Sequence, residues 1–177
     1  TGVQTCALPI LLSNISTDAE ITLKYCNDIV DYGSKINDSK LIGFGYFHIA
    51  QVYYSLNDGN KFFEHIIKSL SFLEKAGQWE YIARAYNLLG ITAVHRGNAP
   101  IAFDYYLNGI AYCQKYDLPD VEVILNTNCG VLNMHTGCYD DALEFFHKAF
   151  DYMHDRINEP NYHSYMICIY QNIATCN

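Results

Sequence analysis

The sequence is short of positive charge, of paired cysteine motifs and of long apolar runs, and each shortage removes a class of function. Lysine and arginine total 11 against 19 aspartates and glutamates, a net charge of −8 over 177 residues. Neutralising nucleic-acid phosphates or docking on anionic lipid needs the opposite balance, so neither a nucleic acid nor a membrane surface is an expected direct partner. No run approaches the roughly 18 to 20 apolar residues of a membrane-spanning helix, and no cationic stretch precedes a signal-like core. A soluble, cytoplasmic protein is the expectation. The 7 cysteines are an odd number, irregularly spaced and without a C-x-x-C pair. Reduced thiols, most of them in apolar-periodic segments as small buried hydrophobes, fit this better than a disulfide framework. What the chain does have is apolar mass: 50% of its residues are hydrophobic, enough to bury a substantial core.

The opening TGVQTCALPI resembles the conceptual translation of a common short-read sequencing adapter. Thr1 to Ile10 are therefore set aside from fold reasoning, and Cys6 with them. Residues 11–177 are read as one domain.

Self-comparison of that domain exposes a period of forty residues. Gly90 recurs as Gly130, His95 as His135, Gly97 as Gly137, Ala102 as Ala142 and Tyr112 as Tyr152. Intervening replacements are conservative, as in Ile91 to Val131, Asp104 to Glu144, Tyr105 to Phe145 and Tyr106 to Phe146. One period earlier a weaker copy stands in register, with Ala50, Asn57, Ile66 and Ser69 under Gly90, Gly97, Tyr106 and Gly109. In NLLGITAVHRGNAPIAFDYYLNGIAYC, Gly90 belongs to one helical run and Gly97 ends it. A second run carries Ala102, Tyr106 and Gly109 on one face, at spacings of four and three. Small residues at Gly90 and Ala102 let two helix backbones approach, and Tyr106 fills the gap beside them. Gly97 supplies the turn, where a positive φ costs little only for glycine or asparagine.

The pattern predicts helices over 17–34, 39–56, 59–76, 78–96, 99–116, 118–136, 139–155 and 159–176. Pro119 and Pro160 stand at helix starts, where a missing N–H does no harm, and Pro100 follows Asn98 at another. The expected fold is all-α, a right-handed superhelical stack of antiparallel helix pairs. Its parts are a remnant second helix at 11–38, repeats at 39–77, 78–117 and 118–157, and an unpaired first helix at 158–177. YMICIYQNIATCN carries Ile173-Ala174 where a first helix would have Leu-Gly, so a truncation at Asn177 is expected.

These residues resemble the tetratricopeptide repeat, matched best by Gly130, Gly137, Tyr139, Ala142, Phe146 and Ala149 in GVLNMHTGCYDDALEFFHKAF. The resemblance runs from about Asp18 to the end and departs from the family in its period, usually about 34 residues. The extra length is expected between the second helix of one repeat and the first of the next. Such arrays curve, and the first helix of each pair lines the concave side where ligand peptides lie. Carried over residue by residue, the resemblance implies groove positions Phe44, Phe47, Gln51, Tyr54 and Ser55. The second repeat contributes Arg84, Asn87, Ile91, Val94 and His95, and the third Ile124, Thr127, Val131, Met134 and His135. A surface this apolar points to a protein or peptide ligand, and it lacks the Lys/Asn/Arg set with which some family members clamp a terminal carboxylate.

His95 and His135 share a repeat position, with Cys138 just past the turn, but a metal needs three or four converging ligands and only two are suggested. No metal and no cofactor are expected. Asp140, Asp141 and Glu144 open a helix, where carboxylates offset its dipole, and no nucleophile or histidine partner accompanies them, so no enzyme is expected. Gly43 and Gly45 lack the strand and the GK[ST] of a phosphate loop. Longer repeats of this kind resemble those of bacterial regulators. YFHIAQVYY, SLSFLEKAGQWEYIARAYNLLGI and ALEFFHKAF are similar to the N-terminal repeat regions of Clostridia-like diguanylate cyclases, where they precede a GGDEF catalytic domain. That resemblance implies a sensing or dimerising role, with a homodimer among the expected partners, and no GGDEF residues are present here. The receptor part of a peptide-sensing transcriptional regulator is the alternative.

Overall fold

The computed structural model describes residues 19–154, 156 and 162–176, and what it shows of them is all-α. Eight helices follow in order: α1 (Ala19–Lys35), α2 (Ser39–Ser55), α3 (Gly59–Lys75), α4 (Trp79–His95), α5 (Ala99–Tyr116), α6 (Pro119–His135), α7 (Tyr139–His154) and α8 (Tyr162–Cys176). The adapter-like segment and the Glu159-Pro160 helix start lie outside the described residues.

A beat of twenty residues governs the backbone. Left-handed φ values occur at Asn37, Asn57, Gly77, Gly97, Asp117 and Gly137, each at the end of a helix. Behind each of them the next amide donates back to a carbonyl five residues earlier, as in Asp38 N to Gly33 O at 2.8 Å, Asn98 N to Ala93 O at 2.9 Å and Cys138 N to Asn133 O at 2.9 Å. These are Schellman turns, which satisfy the orphan carbonyls of the finishing helix. In three of them the donor residue then caps the helix that follows. Asp38 accepts from Lys40 N and Leu41 N, Asp58 from Lys61 N and Asn98 from Ile101 N. Connections this short force neighbours antiparallel. They also show that the residues beyond the usual period are absorbed by longer helices and not by the linkers expected to hold them. The segment FLEKAGQWEYIA is helical on both sides of its Ala76–Gln78 connection, because nothing before Gly77 breaks the helix.

Side chains repeat at twice that interval. Gly90 lies against the ring of Tyr106, and a Cβ there would overlap the ring; Gly130 and Phe146 repeat the arrangement. In the first copy a smaller hole is met by a smaller knob, Ala50 with Ile66, both fully buried. Hole and knob thus vary together while their summed volume is held, as close packing demands. Each helix packs on the next in sequence. In addition the backbones of α2 and α4, of α4 and α6, and of α6 and α8 come close, whereas among the described residues those of α1, α3, α5 and α7 do not; α5 and α7 meet through the rings of Phe103 and Phe145, edge to face with centroids 5.8 Å apart. The core follows as a string of four clusters, each spanning two or three successive helices, around Cys26, Phe62, Tyr106 and Phe146.

One cysteine departs from expectation. Cys26, Cys113, Cys129, Cys138 and Cys176 are free, but Cys168 is disulfide-bonded. Burial pushes the Cys113 and Cys129 thiols up to about 12, so both are protonated at neutral pH and unreactive.

Candidate binding surface

The helices whose backbones come close across repeats, α2, α4 and α6, carry all fifteen positions expected to form a groove, and the structure sorts those positions by register. Phe44, Arg84 and Ile124, one per repeat, are half-buried, as are Tyr54, Val94 and Met134. Ser55, His95 and His135 are exposed. The two registers between them are closed. Phe47, Asn87 and Thr127 are 1%, 3% and 5% exposed, and Gln51, Ile91 and Val131 are 6%, 1% and 8%. These six residues are therefore corrected from groove lining to interior packing. The reason is geometric: the same helix face that would line a groove is where successive first helices meet, and the middle of that face is consumed by the meeting.

Several of the remaining positions have identifiable company. Phe44 packs on Tyr81 with ring centroids 4.3 Å apart. Arg84 is held by Glu80 of its own helix, at 2.9 Å from Nε and 2.7 Å from Nη2. Tyr54 stacks on His95 of the next repeat at 5.9 Å and 17°. His95 is thus engaged with an aromatic ring. Among the described residues no group of three or more His, Cys, Asp or Glu side chains converges as a metal site would require. Burial raises the Tyr54 phenol above its ordinary pKa, and its hydroxyl is buried without a partner among the described residues.

The closed registers hide a polar link that the repeat pattern does not single out. Asn128 Nδ2 donates to Asn87 Oδ1 at 2.7 Å, joining α6 to α4, with both residues 3% exposed. Removing one partner strands the other in the interior. Asn128→Leu should cost about 1–3 kcal/mol, whereas Asn87→Leu with Asn128→Leu should fall close to the parent. Urea unfolding of the three variants checks this; a double variant no better than the single would mean that the bond is not what holds the seam.

The class the fold defines is an all-α helical-repeat array presenting one face of α2, α4 and α6. No protein family matches the chain, and no curated protein is similar to it. Among the described residues no helix is long and apolar enough to cross a membrane.

Proposed function

We propose that this is a tetratricopeptide-like, protein- or peptide-binding module that lays its ligand along the α2/α4/α6 face, in a right-handed superhelical stack. The observation that carries the reading is the asymmetry of contacts. The backbones of first helices come close to their counterparts while those of second helices do not, and a two-layer array whose one layer is closer-spaced curves with that layer inside. The ligand then meets three ridges: half-buried Phe44, Arg84 and Ile124 on one side, Tyr54, Val94 and Met134 on the other, and the exposed histidines at the rim. This mixture of apolar pockets with few charges suits an extended or helical peptide and not a polyanion. In a longer chain the module would serve as the sensor or dimerisation region ahead of a signalling domain of the GGDEF type.

A displayed random-peptide library supplies the test whatever the natural ligand is. Peptides selected on the intact chain should lose at least tenfold in affinity to Phe44→Ala with Met134→Ala, while helical circular dichroism is unchanged. Peptides that bind the double variant equally well would remove the face from consideration.

A further inference from the structure

The forty-residue register gives an internal control for any site: residues that pack repeats together recur, and residues that break the register are there for something else. One such break lies at the turn end of the seam between α2–α3 and α4. There the end of α2, the start of α3 and the end of α4 enclose an open pocket of about 380 Å³, walled by Tyr54, Asn57, Gly59, Phe62, His95 and Arg96. One repeat later the positions of Tyr54, Phe62 and Arg96 hold Val94, Ala102 and Thr136, so the aromatic rings and the cation are both lost.

Two features make the pocket specific. Arg84 and Arg156 pair with Glu80 and Asp120, but Arg96 has no carboxylate partner among the described residues. Its guanidinium lies over the Phe63 ring, 4.5 Å from the centroid, in an acidic protein with many carboxylates to choose from. The second feature is Gly59, which stands where the next two copies have Ala99 and Tyr139. A Cβ on Gly59 would overlap Arg96 Nη2, so an alanine there would push the flexible end of the arginine away from the head of α3. The acid that precedes Gly59, Asp58, is already engaged, accepting from Lys61 N at 3.1 Å and facing Lys61 Nζ at 3.4 Å.

We infer that this pocket binds a carboxylate carried on a flat apolar body, with Arg96 taking the carboxylate, Tyr54 and His95 flanking the body and the buried Phe62 ring backing the floor. A guanidinium offers a planar pair of donors that matches a carboxylate, and the rings supply the apolar walls. The volume sits at the low end for ligand pockets, which fits a small aromatic acid or one terminal residue of a bound peptide. The inference rests on the groove reading and deepens it, by giving one end of the face a chemical preference. Its test uses residues that the groove test does not touch.

Phenylacetate and its uncharged isostere phenylacetamide are the probes, titrated against the full chain by isothermal calorimetry and by amide shifts at Asn57, Gly59 and Thr92. Phenylacetate should bind at least tenfold tighter than phenylacetamide. Arg96→Gln should erase that preference. Gly59→Ala, which places in this copy the residue the second copy already has, should weaken phenylacetate by a similar factor while the helical signal is kept. A tripeptide ending in free phenylalanine, compared with its amide, identifies the source: tighter binding than phenylacetate with the same Arg96 dependence means a peptide terminus, and weaker binding means a free acid. Equal binding of acid and amide, or full binding by Arg96→Gln, overturns the assignment.

Discussion

Phe146→Ala is expected to destabilise the protein by about 3–5 kcal/mol, the upper range for deleting a buried ring. Phe146 is fully buried in the seam of α6, α7 and α8, packed with Ala142, Ala149, Met153 and Ile169. Its ring also rests on the backbone of Gly130. That wall cannot collapse into the void, because glycine has no side chain to move and its helix is pinned at its end by the Schellman turn at Gly137. Urea unfolding followed by circular dichroism measures the loss. A cost below about 1 kcal/mol would mean that the ring does not occupy the hole that Gly130 leaves.

The complementary experiment fills the hole. Helix propensity alone says that Gly90→Ala should stabilise α4 by about 1 kcal/mol. Packing says the reverse, because the new methyl meets the Tyr106 ring, and overpacking a well-filled core costs about 1–3 kcal/mol. Tyr106 is 1% exposed and has nowhere to go. Packing should win, and the observed change should be a loss. Adding Tyr106→Ile reproduces the Ala50–Ile66 pairing of the first copy, and in a double-mutant cycle it should recover a measurable part of that loss. A stabilising Gly90→Ala would assign the recurring smallness of this position to something other than the knob opposite it.

Much of this was legible in the sequence, and the parts that were not have a common cause. Helix positions could be read because Gly97, Gly137 and Asn57 are residues that tolerate a left-handed φ, and because Asn98 and Pro119 mark helix starts. The turn at Asp117 was less visible, since aspartate reaches that conformation seldom and gives no unique signal. The knob and hole pairs could be read from Gly90 with Tyr106 because size complementarity survives in one dimension. The binding face could be read only in outline. Spacing places Phe47, Asn87 and Ile91 on the same side as Phe44 and Arg84, and sequence alone cannot say how much of that side the adjoining helix covers. Asn128 was missed for the same reason: its partner lies on another helix, and its counterparts in the other copies, Leu88 and His48, do not resemble it. Arg96 and Gly59 did carry a signal, as mismatches in the forty-residue register, but repeats invite attention to what agrees.

The contact pattern of the stack also has a bearing on how the protein is made. Among the described residues, every helix–helix contact joins neighbours or next-nearest neighbours along the chain. Among the described residues no helix waits for a partner at the far end of the sequence, so loop-closure costs stay small and constant. As the polypeptide leaves the ribosome, each newly exposed helix finds its seat already built by the one or two before it. The nascent chain can therefore bury its apolar faces in the order of synthesis, leaving one edge at a time for a chaperone to shield.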